Sequence, residues 1–428
     1  MITIIELYQI FLQSAGISTD TRTIQPNQIY AALKGVNFDG NILCEEAIEK
    51  GAVCTLTDNP DLKKGDKYIL VDDVLTTLQQ LALYHRRQIP LKALIAITGS
   101  NGKTTTKELL NVVLATTYKT HYTKGNLNNH IGIPLTLLEM PADTEVAVIE
   151  MGANHQKEIA SYCKITEPDF GIITNIGKAH LEGFGGIEGV KKGKGELFDY
   201  LKKHNGGIFY NKDSEAIKQM TEERFIEKTV SYGRTPTVDY SAEIVTEQPF
   251  LTLKFENTII KSHLFGGYNF DNILCAITVG KYFKVSNEAI QEAIQNYMPN
   301  NKRSEVIMKD SNKIICDYYN ANPTSMQHAL ESFAKAKAIH KIVILGDMFE
   351  LGDFALQEHQ RIIDLARQLN FTTIVLVGDI FSKTTTSSTI IKLRNSTEAK
   401  KWFIQQDFQN TEILLKGSRG MKMEEVIS

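Results

Sequence analysis

The sequence lacks the features that mark secreted, zinc-binding or membrane-spanning chains. Its 428 residues include only five cysteines, which are scattered and form no CxxC pair. An odd number of cysteines at such spacing predicts neither a disulfide framework nor a zinc site. No run of about 18 apolar residues occurs, and the N-terminus lacks the basic and apolar regions of a signal peptide. We therefore expect a cytoplasmic protein without a transmembrane segment.

Strong charge of either sign is also missing. The formal net charge is -3 and the pI is near 6.4, which gives no general attraction to nucleic acid or anionic lipid. A nucleic-acid motor is disfavoured, because no basic stripe is interleaved with aromatic residues. Hydrophobic residues make up 42% and charged residues 23% of the chain, as in ordinary globular proteins.

The length and the pattern of apolar runs predict an α/β protein of three domains, since domains span about 100–200 residues each. Short apolar runs around one amphipathic stretch indicate a small α/β domain at 1–88. Pro90 then interrupts the chain, and the residue before a proline is pushed out of the helical region. We place a central domain at 89–298 and a C-terminal domain at 299–428.

Apolar runs without alternation predict buried parallel strands in the central domain. They lie at Ala93–Thr98, Val146–Glu150 and Phe170–Thr174, whereas Leu251–Phe265 reads as antiparallel strands. The C-terminal domain alternates four further strands with helices, which predicts a Rossmann-like sheet. Those strands are expected at Lys313–Asp317, Ile342–Leu345, Thr373–Val377 and Ile413–Leu415, and the helices from Pro323 and at Ala355–Gln368.

A glycine-containing turn follows the first central strand and precedes a helix. Its sequence is TGSNGKTT (98–105). Glycines let backbone amides approach phosphate oxygens, the helix N-terminus adds partial positive charge, and Lys103 neutralises the terminal phosphates. An ordinary turn is the alternative interpretation. The predicted nucleotide-binding residues are Gly99, Ser100, Asn101, Gly102, Lys103, Thr104 and Thr105.

The full P-loop pattern would place glycine where this chain has Ile97. The short form resembles the Mur ligase family, to which folylpolyglutamate synthase is related, rather than GTPases or kinases. Further segments resemble motifs of the same family: TKGNLNNHIGIP (123–134), VIEMGANH (148–155), TNIGKAHLEGF (174–184) and EGVKKGKGEL (188–197).

The resemblance implies ATP and two magnesium ions as cofactors. Glu150 ends a buried strand, where a carboxylate must coordinate a cation or be otherwise paired; with Thr104 it is expected to hold one ion. His180 is expected at a second ion, although a loop histidine is more often solvated. Lys194 would ordinarily belong to a solvated helix face. Only the resemblance singles it out, as a carbamylated lysine that bridges to magnesium.

Two asparagines in GYNFDN (267–272) resemble the family's adenine contacts. Asn269 and Asn272 can both donate and accept hydrogen bonds, which suits a purine edge; helix capping by Asn269 is the alternative. The segment Asn301-Lys302-Arg303 resembles the family's entry to the third domain, where Arg303 would reach the nucleotide phosphates. Asp317 is also assigned to nucleotide binding.

Three C-terminal segments resemble those of family members that add D-alanyl-D-alanine: DYYNANPTSM (317–326), LGDMFELG (345–352) and LKGSRGM (415–421). The alternatives are a helix N-cap at Asn322 with proline at the first turn, and ordinary turns at the strand ends. The implied peptide-binding residues are Asn128, Asn129, Asn320, Asn322, Ser325, Lys416, Ser418 and Arg419.

The first domain resembles the family's UDP-binding module. Candidate contacts to the diphosphate are Thr21, Arg22, Asp39 and Gly40, although an arginine in a polar turn is usually just exposed. The whole resemblance implies a monomeric ligase that joins D-alanyl-D-alanine to UDP-N-acetylmuramoyl-tripeptide through an acyl phosphate, with domains closing around ATP. The alternatives are another Mur-family ligase, folylpolyglutamate synthase, or a non-catalytic nucleotide-binding regulator.

Overall fold

The computed structural model describes residues 2–62, 65–299 and 303–428. The described residues form two compact units. Unit 1 consists of the described residues of Met1–Ala96, Tyr118–Gly152 and Glu158–Asp169. Unit 2 consists of those of Ile97–Thr117, Ala153–Lys157 and Phe170–Ser428. None of the helices in these described ranges is long and apolar enough to cross a lipid bilayer.

The N-terminal part of unit 1 is a four-stranded parallel sheet in the order β1-β2-β5-β6, with a small hairpin of β3 and β4. Its strands and helices are β1 (Ile17–Ser18), β2 (Ile29–Ala31), β3 (Lys34–Gly35), β4 (Phe38–Asp39), β5 (Cys54–Thr57), β6 (Tyr68–Leu70), α1 (Ile4–Gln13), α2 (Cys44–Glu49) and α3 (Val74–Gln88). Tyr30, Cys44 and Ala47 form its core with neighbouring apolar residues. The predicted small α/β fold is confirmed here.

The middle of the chain contributes strands and helices to both units. They are β7 (Ala93–Thr98), β8 (Thr120–Tyr122), β9 (Val146–Glu150), β10 (Phe170–Ile173), β11 (Gly207–Asn211), β12 (Lys228–Gly233), β13 (Tyr240–Thr246), β14 (Thr252–Phe255), β15 (Thr258–Lys261), α4 (Lys103–Leu114), α5 (Gly132–Leu138), α6 (Glu158–Thr166), α7 (Leu181–Phe184), α8 (Ile187–Lys203), α9 (Glu215–Arg224), α10 (Phe270–Tyr282) and α11 (Asn287–Asn296).

The pairing of these strands follows the sequence prediction. In unit 1, β8 and β9 are parallel. In unit 2, β10 to β13 are parallel in chain order, and β14 and β15 continue the sheet in antiparallel fashion. Every residue of β7 and of β9 is buried, which is why their sequences are apolar throughout rather than alternating. The predicted bounds of these two strands agree with the structure.

The C-terminal part of unit 2 is a six-stranded sheet in the order β16-β17-β21-β18-β19-β20. Its strands and helices are β16 (Glu305–Lys309), β17 (Asn312–Asp317), β18 (His340–Gly346), β19 (Thr373–Val377), β20 (Ile391–Leu393), β21 (Thr411–Lys416), α12 (Pro323–Ala334), α13 (Ala355–Gln368), α14 (Asp379–Ser382) and α15 (Ser396–Ile404). The four central strands are the predicted ones. The prediction missed both edge strands, whose apolar runs are three residues or shorter and none of whose residues is buried.

A buried carboxylate joins two loops of this C-terminal sheet. Asp347 follows β18 and is only 2% exposed. Its carboxylate accepts hydrogen bonds from the backbone amides of Ile380 (2.8 Å) and Phe381 (2.9 Å), at the start of α14. Asp347 therefore fits the alternative interpretation of LGDMFELG as an ordinary turn at a strand end, because its oxygens satisfy helix amides that have no partner within the helix.

Replacement of Asp347 by alanine should loosen this loop, because two buried amides lose their acceptor. We expect a loss of about 2–4 kcal/mol in local stability, measured as faster hydrogen exchange of the Ile380 and Phe381 amides. Asp347→Asn is the matched control: it keeps one carbonyl oxygen, so it should lose less protection. Equal protection in the wild type and Asp347→Ala would contradict the assignment.

Candidate functional site

The turn between β7 and α4 has a backbone that only glycine fits comfortably. Gly102 has a φ of +79°, and a β-carbon there would lie 2.5 Å from Oδ1 of Asn272. Gly99 has a φ of +144° and stands against Thr174. Lys103 is the first residue of α4, and its Nζ donates to the carbonyl oxygen of Gly99 at 2.6 Å. The turn therefore presents backbone amides and a lysine at the N-terminus of a helix, as phosphate binding requires.

Hydrogen bonds to the segment after β10 hold the turn in place. The Ser100 hydroxyl donates to the carbonyl of Gly177 (3.0 Å) and accepts from its amide (2.9 Å). The backbone amide of Asn101 donates to Oδ1 of Asn175 at 3.0 Å. Thr104 and Thr105 are buried. The glycine-containing turn is thus fixed by the loop that carries His180.

A cleft of about 410 Å³ lies within unit 2 and opens onto this turn. Residues from widely separated parts of the chain line it. The predicted site residues among them are Ser100, Asn101, Gly102, Lys103, Thr105, His180, Asn269, Asn272, Arg303, Asp317, Asn320, Asn322, Ser325 and Lys416.

Other predicted site residues lie elsewhere. Five belong to unit 2 but are not among the described residues that line the cleft: Gly99, Thr104, Lys194, Ser418 and Arg419. Seven belong to unit 1: Thr21, Arg22, Asp39, Gly40, Asn128, Asn129 and Glu150. Asn301 and Lys302 of the motif before Arg303 lie outside the described residues.

The side chains of the two predicted adenine contacts, Asn269 and Asn272, are hydrogen-bonded to each other. Asn272 Nδ2 donates to Asn269 Oδ1 at 2.9 Å, and Asn272 Oδ1 accepts from the hydroxyl of Thr106 at 3.0 Å. Asn269 Nδ2 donates to the carbonyl of Phe265 at 2.8 Å. The alternative interpretation of Asn269 as a side-chain helix cap is wrong, because its amide makes no capping hydrogen bond to α10. This pair stiffens one wall of the cleft.

His180 meets the LGDMFELG segment. Its Nδ1 lies 2.5 Å from Oε2 of Glu350, and both residues have left-handed backbones, with φ values of +53° and +63°. The His180 imidazole beside it holds the pKa of the Glu350 carboxyl below its ordinary value of 4.5, although burial opposes the shift. Since Nδ1 faces this carboxylate, Nε2 is the nitrogen left to face a ligand.

Lys194 is buried rather than solvated. Only 1% of the residue is exposed, so its interpretation as part of a solvated helix face is wrong. Its Nζ donates to the carbonyl oxygen of Ala153 at 3.3 Å and lies 5.2 Å from the centre of the Phe184 ring. Burying an ammonium group is costly unless it is compensated, so the contacts of Lys194 matter for its burial.

Glu150, in unit 1, is a buried carboxylate with an identified partner. The residue is 1% exposed, and Asn128 Nδ2 donates to its Oε1 at 2.8 Å. The neighbouring Asn129 accepts from the amides of Ile131 (3.1 Å) and Gly132 (2.9 Å), so its side chain supports the start of α5. Asn128 thus pairs with a buried carboxylate, whereas Asn129 supports the start of a helix.

The C-terminal motifs form buried polar contacts. Lys416 Nζ lies 2.6 Å from Oδ2 of Asp317, and Lys416 is only 2% exposed. Asn322 caps α12, where its Oδ1 accepts from the Ser325 amide at 2.9 Å, and Asn320 Oδ1 accepts from the next backbone amide. The capping interpretation of Asn322 is confirmed, and the residue lines the cleft as well.

Ser418 and Arg419 of the LKGSRGM motif belong to unit 2 but are not among the described residues that line the cleft. The Ser418 hydroxyl accepts from the Phe349 amide at 3.0 Å. Arg419 and Arg303 both lie over the ring of Tyr319, at 5.4 Å and 4.1 Å from its centre. Ser418 therefore braces a loop, whereas the two guanidinium groups share an aromatic platform.

In the first domain the candidate UDP contacts are local turn residues. The Arg22 side chain is 86% exposed and pairs with Asp20 at 2.6 Å, as the alternative interpretation expected. Asp39 accepts from the amide of Asn41 at 3.0 Å, and Gly40 is packed against the backbone of Leu33. Thr21 is buried.

Sequence reasoning missed several charged residues that line the cleft: Arg234, Glu247, Asp271 and Lys335. Asp271 stands between the two predicted asparagines, and burial raises its pKa while Arg234 opposes the shift. Arg234 follows the end of β12, which is a position where ligand-binding residues are common. Lys335 pairs with Glu247 at 2.9 Å. The position of Arg234 directly after a strand is the feature from which the sequence could have predicted it as a ligand-binding residue.

A glycine turn at a helix N-terminus, in a cleft lined with lysine and arginine and set among parallel sheets, defines an α/β protein of the phosphate-binding class. Three family models match successive segments of the chain. Residues 13–86 match the catalytic domain of the Mur ligase family, residues 97–280 the Mur ligase middle domain, and residues 302–419 the Mur ligase glutamate ligase domain. The chain belongs to the Mur ligase family.

Relatives align over nearly the whole length. The UDP-N-acetylmuramoyl-tripeptide–D-alanyl-D-alanine ligase of Bacillus subtilis is 37% identical, with 96% of this chain and 92% of that protein covered. The enzyme of the same name from Escherichia coli is 33% identical over the same shares. A crystal structure of MurF from Acinetobacter baumannii has a TM-score of 0.87 at 30% identity, covering 98% of this chain and 97% of that one. MurF from Thermotoga maritima, solved with ADP, shares the fold with a TM-score of 0.84 at 24% identity and 97% coverage of each chain.

The His180–Glu350 contact predicts a pH effect. Because the folded pKa of Glu350 is lowered, the contact stabilises the protein above pH 4.5 and is lost as pH falls through the folded pKa. In His180→Asn, whose side chain tolerates the left-handed backbone, the pKa of Glu350 should rise toward 4.5. Carbon-13 titration of labelled glutamate carboxyls measures it; an unchanged Glu350 pKa in the variant would contradict the contact.

Proposed function

We propose that this protein is an ATP-dependent ligase that joins D-alanyl-D-alanine to UDP-N-acetylmuramoyl-tripeptide. The observation that carries the proposal is the single cleft that gathers the phosphate-binding turn and the C-terminal residues Arg303, Asp317, Asn320 and Lys416. The near full-length similarity to enzymes of that name supports the choice of substrates. ATP binding is supported by the P-loop-like turn and by membership of the family.

The reaction proposed is the attack of the tripeptide's terminal carboxylate on the γ-phosphorus of ATP. A phosphorus–oxygen bond to ADP breaks, and an acyl phosphate forms. The amine of D-alanyl-D-alanine then attacks the acyl carbon, the bond from that carbon to the phosphate oxygen breaks, and phosphate leaves with the proton that the amine loses as the amide forms. This chemistry requires neutralisation of negative charge more than covalent help from the protein. Lys103 and the amides of its turn are proposed for the β- and γ-phosphates, and Arg303 for the phosphates from the other wall.

Magnesium prefers oxygen ligands and usually shares its coordination with substrate phosphates. We assign the hydroxyl of Thr104 to one ion, and Nε2 of His180 with modified Lys194 to another. Glu150, in unit 1, stays a ligand predicted from the sequence. The described residues contain no cluster of three or more histidine, cysteine or acidic side chains that could hold a metal ion. Bound magnesium would neutralise charge on the phosphates.

Carbamylation of Lys194 is proposed from its burial. Carbon dioxide adds to a neutral amine, which releases one proton and leaves a carbamate anion. Burial disfavours the ammonium form of a lysine, and the Lys194 Nζ has a carbonyl oxygen as a neighbour at 3.3 Å. The modification would turn a buried cation into an oxygen donor.

The remaining predicted residues are assigned to the substrates. Asn320, Ser325, Lys416 and Arg419 are assigned to the peptides, with Asn128, Asn129, Asn322 and Ser418 acting at least partly through the backbone they support. Thr21, Arg22, Asp39 and Gly40 are assigned to the UDP group. The monomeric state, the cytoplasmic location and the domain boundaries at 88 and 298 stay predictions.

Lys103→Ala tests the nucleotide assignment. Removal of the lysine should lower the rate of tripeptide-dependent ADP release by about 10²–10³-fold, since one charge-stabilising donor at the reacting phosphate is lost. Lys119→Ala is the control, because Lys119 is an exposed surface lysine that pairs with Asp143. A near-normal rate in Lys103→Ala would refute the assignment.

A substrate panel tests the reaction itself. We expect an amide product only when ATP, a UDP-N-acetylmuramoyl-tripeptide and D-alanyl-D-alanine are all present, as measured by mass spectrometry. Product formation with a shorter UDP-muramoyl peptide and a single amino acid would favour another Mur step, and glutamate addition to a folate would favour folylpolyglutamate synthase. ATP binding without turnover on any substrate would favour the alternative that the protein is a non-catalytic nucleotide-binding regulator.

Bicarbonate dependence tests the carbamate at Lys194. Protein incubated with carbon-13 bicarbonate should show a carbamate carbon signal by NMR, and the signal should be absent from Lys194→Gln. Withdrawal of bicarbonate should lower the rate, and its return should restore it. No signal in the wild type, together with full activity of Lys194→Gln, would defeat the proposal.

A further inference from the structure

Two asparagine side chains connect the phosphate-binding turn to the start of α12 within unit 2. Asn322 Nδ2 donates to Oδ1 of Asn101 at 2.7 Å. Asn101 lies between the two glycines of the turn, and Asn322 is the N-cap of α12. A direct hydrogen bond therefore links the turn to the segment that carries the NANP motif.

The surrounding hydrogen bonds determine which way each amide points. The Ser325 amide donates to Asn322, so the atom that accepts there must be Oδ1, and Nδ2 of Asn322 must face Asn101. A donor requires an acceptor opposite, so Asn101 must present its oxygen. The Nδ2 group of Asn101, with its two hydrogens, is thereby turned away from Asn322.

This Nδ2 group of Asn101 is a donor in need of an acceptor. It is shielded from solvent, and no hydrogen-bond acceptor within the described ranges of the chain is in reach of it. A buried donor without a partner is unfavourable. Asn101 itself lines the cleft, together with Lys103, Arg303 and Lys416. An oxygen of an anionic ligand held by these cations is the acceptor that the cleft would bring.

The backbone of Asn101 is fixed, so its side chain is the part that can respond to a ligand. Its amide donates to Asn175 at 3.0 Å, and its carbonyl accepts from the Thr174 hydroxyl at 2.6 Å. A hydrogen bond donated by one end of an amide polarises the group and strengthens the bond accepted at the other end. A ligand at Nδ2 would therefore strengthen the bond from Asn322.

We infer that Asn101 is a positioning residue that couples an anionic phosphate oxygen in the cleft to the attachment of α12. Asn101 donates to the phosphate through Nδ2 and accepts from Asn322 through Oδ1. Nucleotide binding thereby tightens the C-terminal segment against the turn. The inference rests on the proposed nucleotide site and adds to it a residue-level route between two segments.

Two substitutions separate the two ends of the link. Asn322→Asp keeps an oxygen for the Ser325 amide but has no hydrogen to give Asn101, and Asn322→Ser is a second variant that also preserves capping. Asn101→Asp keeps an acceptor for Asn322 but loses the donor. The matched control is Asn395→Asp, because Asn395 caps α15 through the Glu398 amide in the same manner.

Each protein is titrated with a non-hydrolysable ATP analogue by calorimetry, and hydrogen exchange in α12 is followed with and without the analogue. In the wild type and Asn395→Asp the analogue should increase protection of the first turn of α12. In both Asn322 variants the analogue should bind within roughly threefold of wild type without that increase, since α12 is no longer linked to the turn. In Asn101→Asp affinity should fall by roughly tenfold or more, because the donor to the phosphate is lost and a carboxylate that repels the phosphate takes its place.

Two results would overturn the inference. One is that the analogue increases protection of α12 in both Asn322 variants as much as in the wild type. The other is that Asn101→Asp binds the analogue as tightly as the wild type does. Absence of analogue binding to the wild type would defeat the inference and the nucleotide site together. Binding with the expected variant pattern, but without amide formation on the substrate panel, would defeat only the proposed reaction. The two failures are therefore distinguishable.

Discussion

A triphosphate and a carboxylate repel each other, and their reaction requires a place where several positive groups converge out of bulk water. In this chain the proposed place is the cleft that Lys103, Arg303 and Lys416 line together. No one segment supplies all three, so the cleft exists only when the turn after β7 and the C-terminal sheet fold within the same unit.

Buried charges have specific partners in each unit. Lys416 is paired with Asp317 in the cleft of unit 2, and Glu150 accepts from Asn128 in unit 1. Each burial would be unfavourable without its partner. The partners also fix the orientation of the groups, so the site is arranged before any ligand arrives. Amides perform the same task without charge, as the Asn269–Asn272 and Asn101–Asn322 pairs illustrate.

Much of the fold could be predicted from the sequence, because buried parallel strands have continuous apolar runs; β7, β9 and β19 begin and end where the runs do. The edge strands β16 and β20 could not, since their residues are only partly buried. At the site, the turn residues were recognisable from local chemistry. The brace formed by Asp347, the burial of Lys194 and the entry of Lys335 into the cleft depend on contacts between distant segments, which no local pattern encodes.

The most direct test of the central claim follows oxygen atoms rather than rates. A UDP-N-acetylmuramoyl-tripeptide labelled with oxygen-18 in its terminal carboxylate is converted with ATP and D-alanyl-D-alanine, and the inorganic phosphate is analysed by mass spectrometry. If the carboxylate attacks phosphorus in the cleft, each phosphate released carries one labelled oxygen. Phosphate without label, alongside normal amide formation, would contradict the acyl-phosphate mechanism.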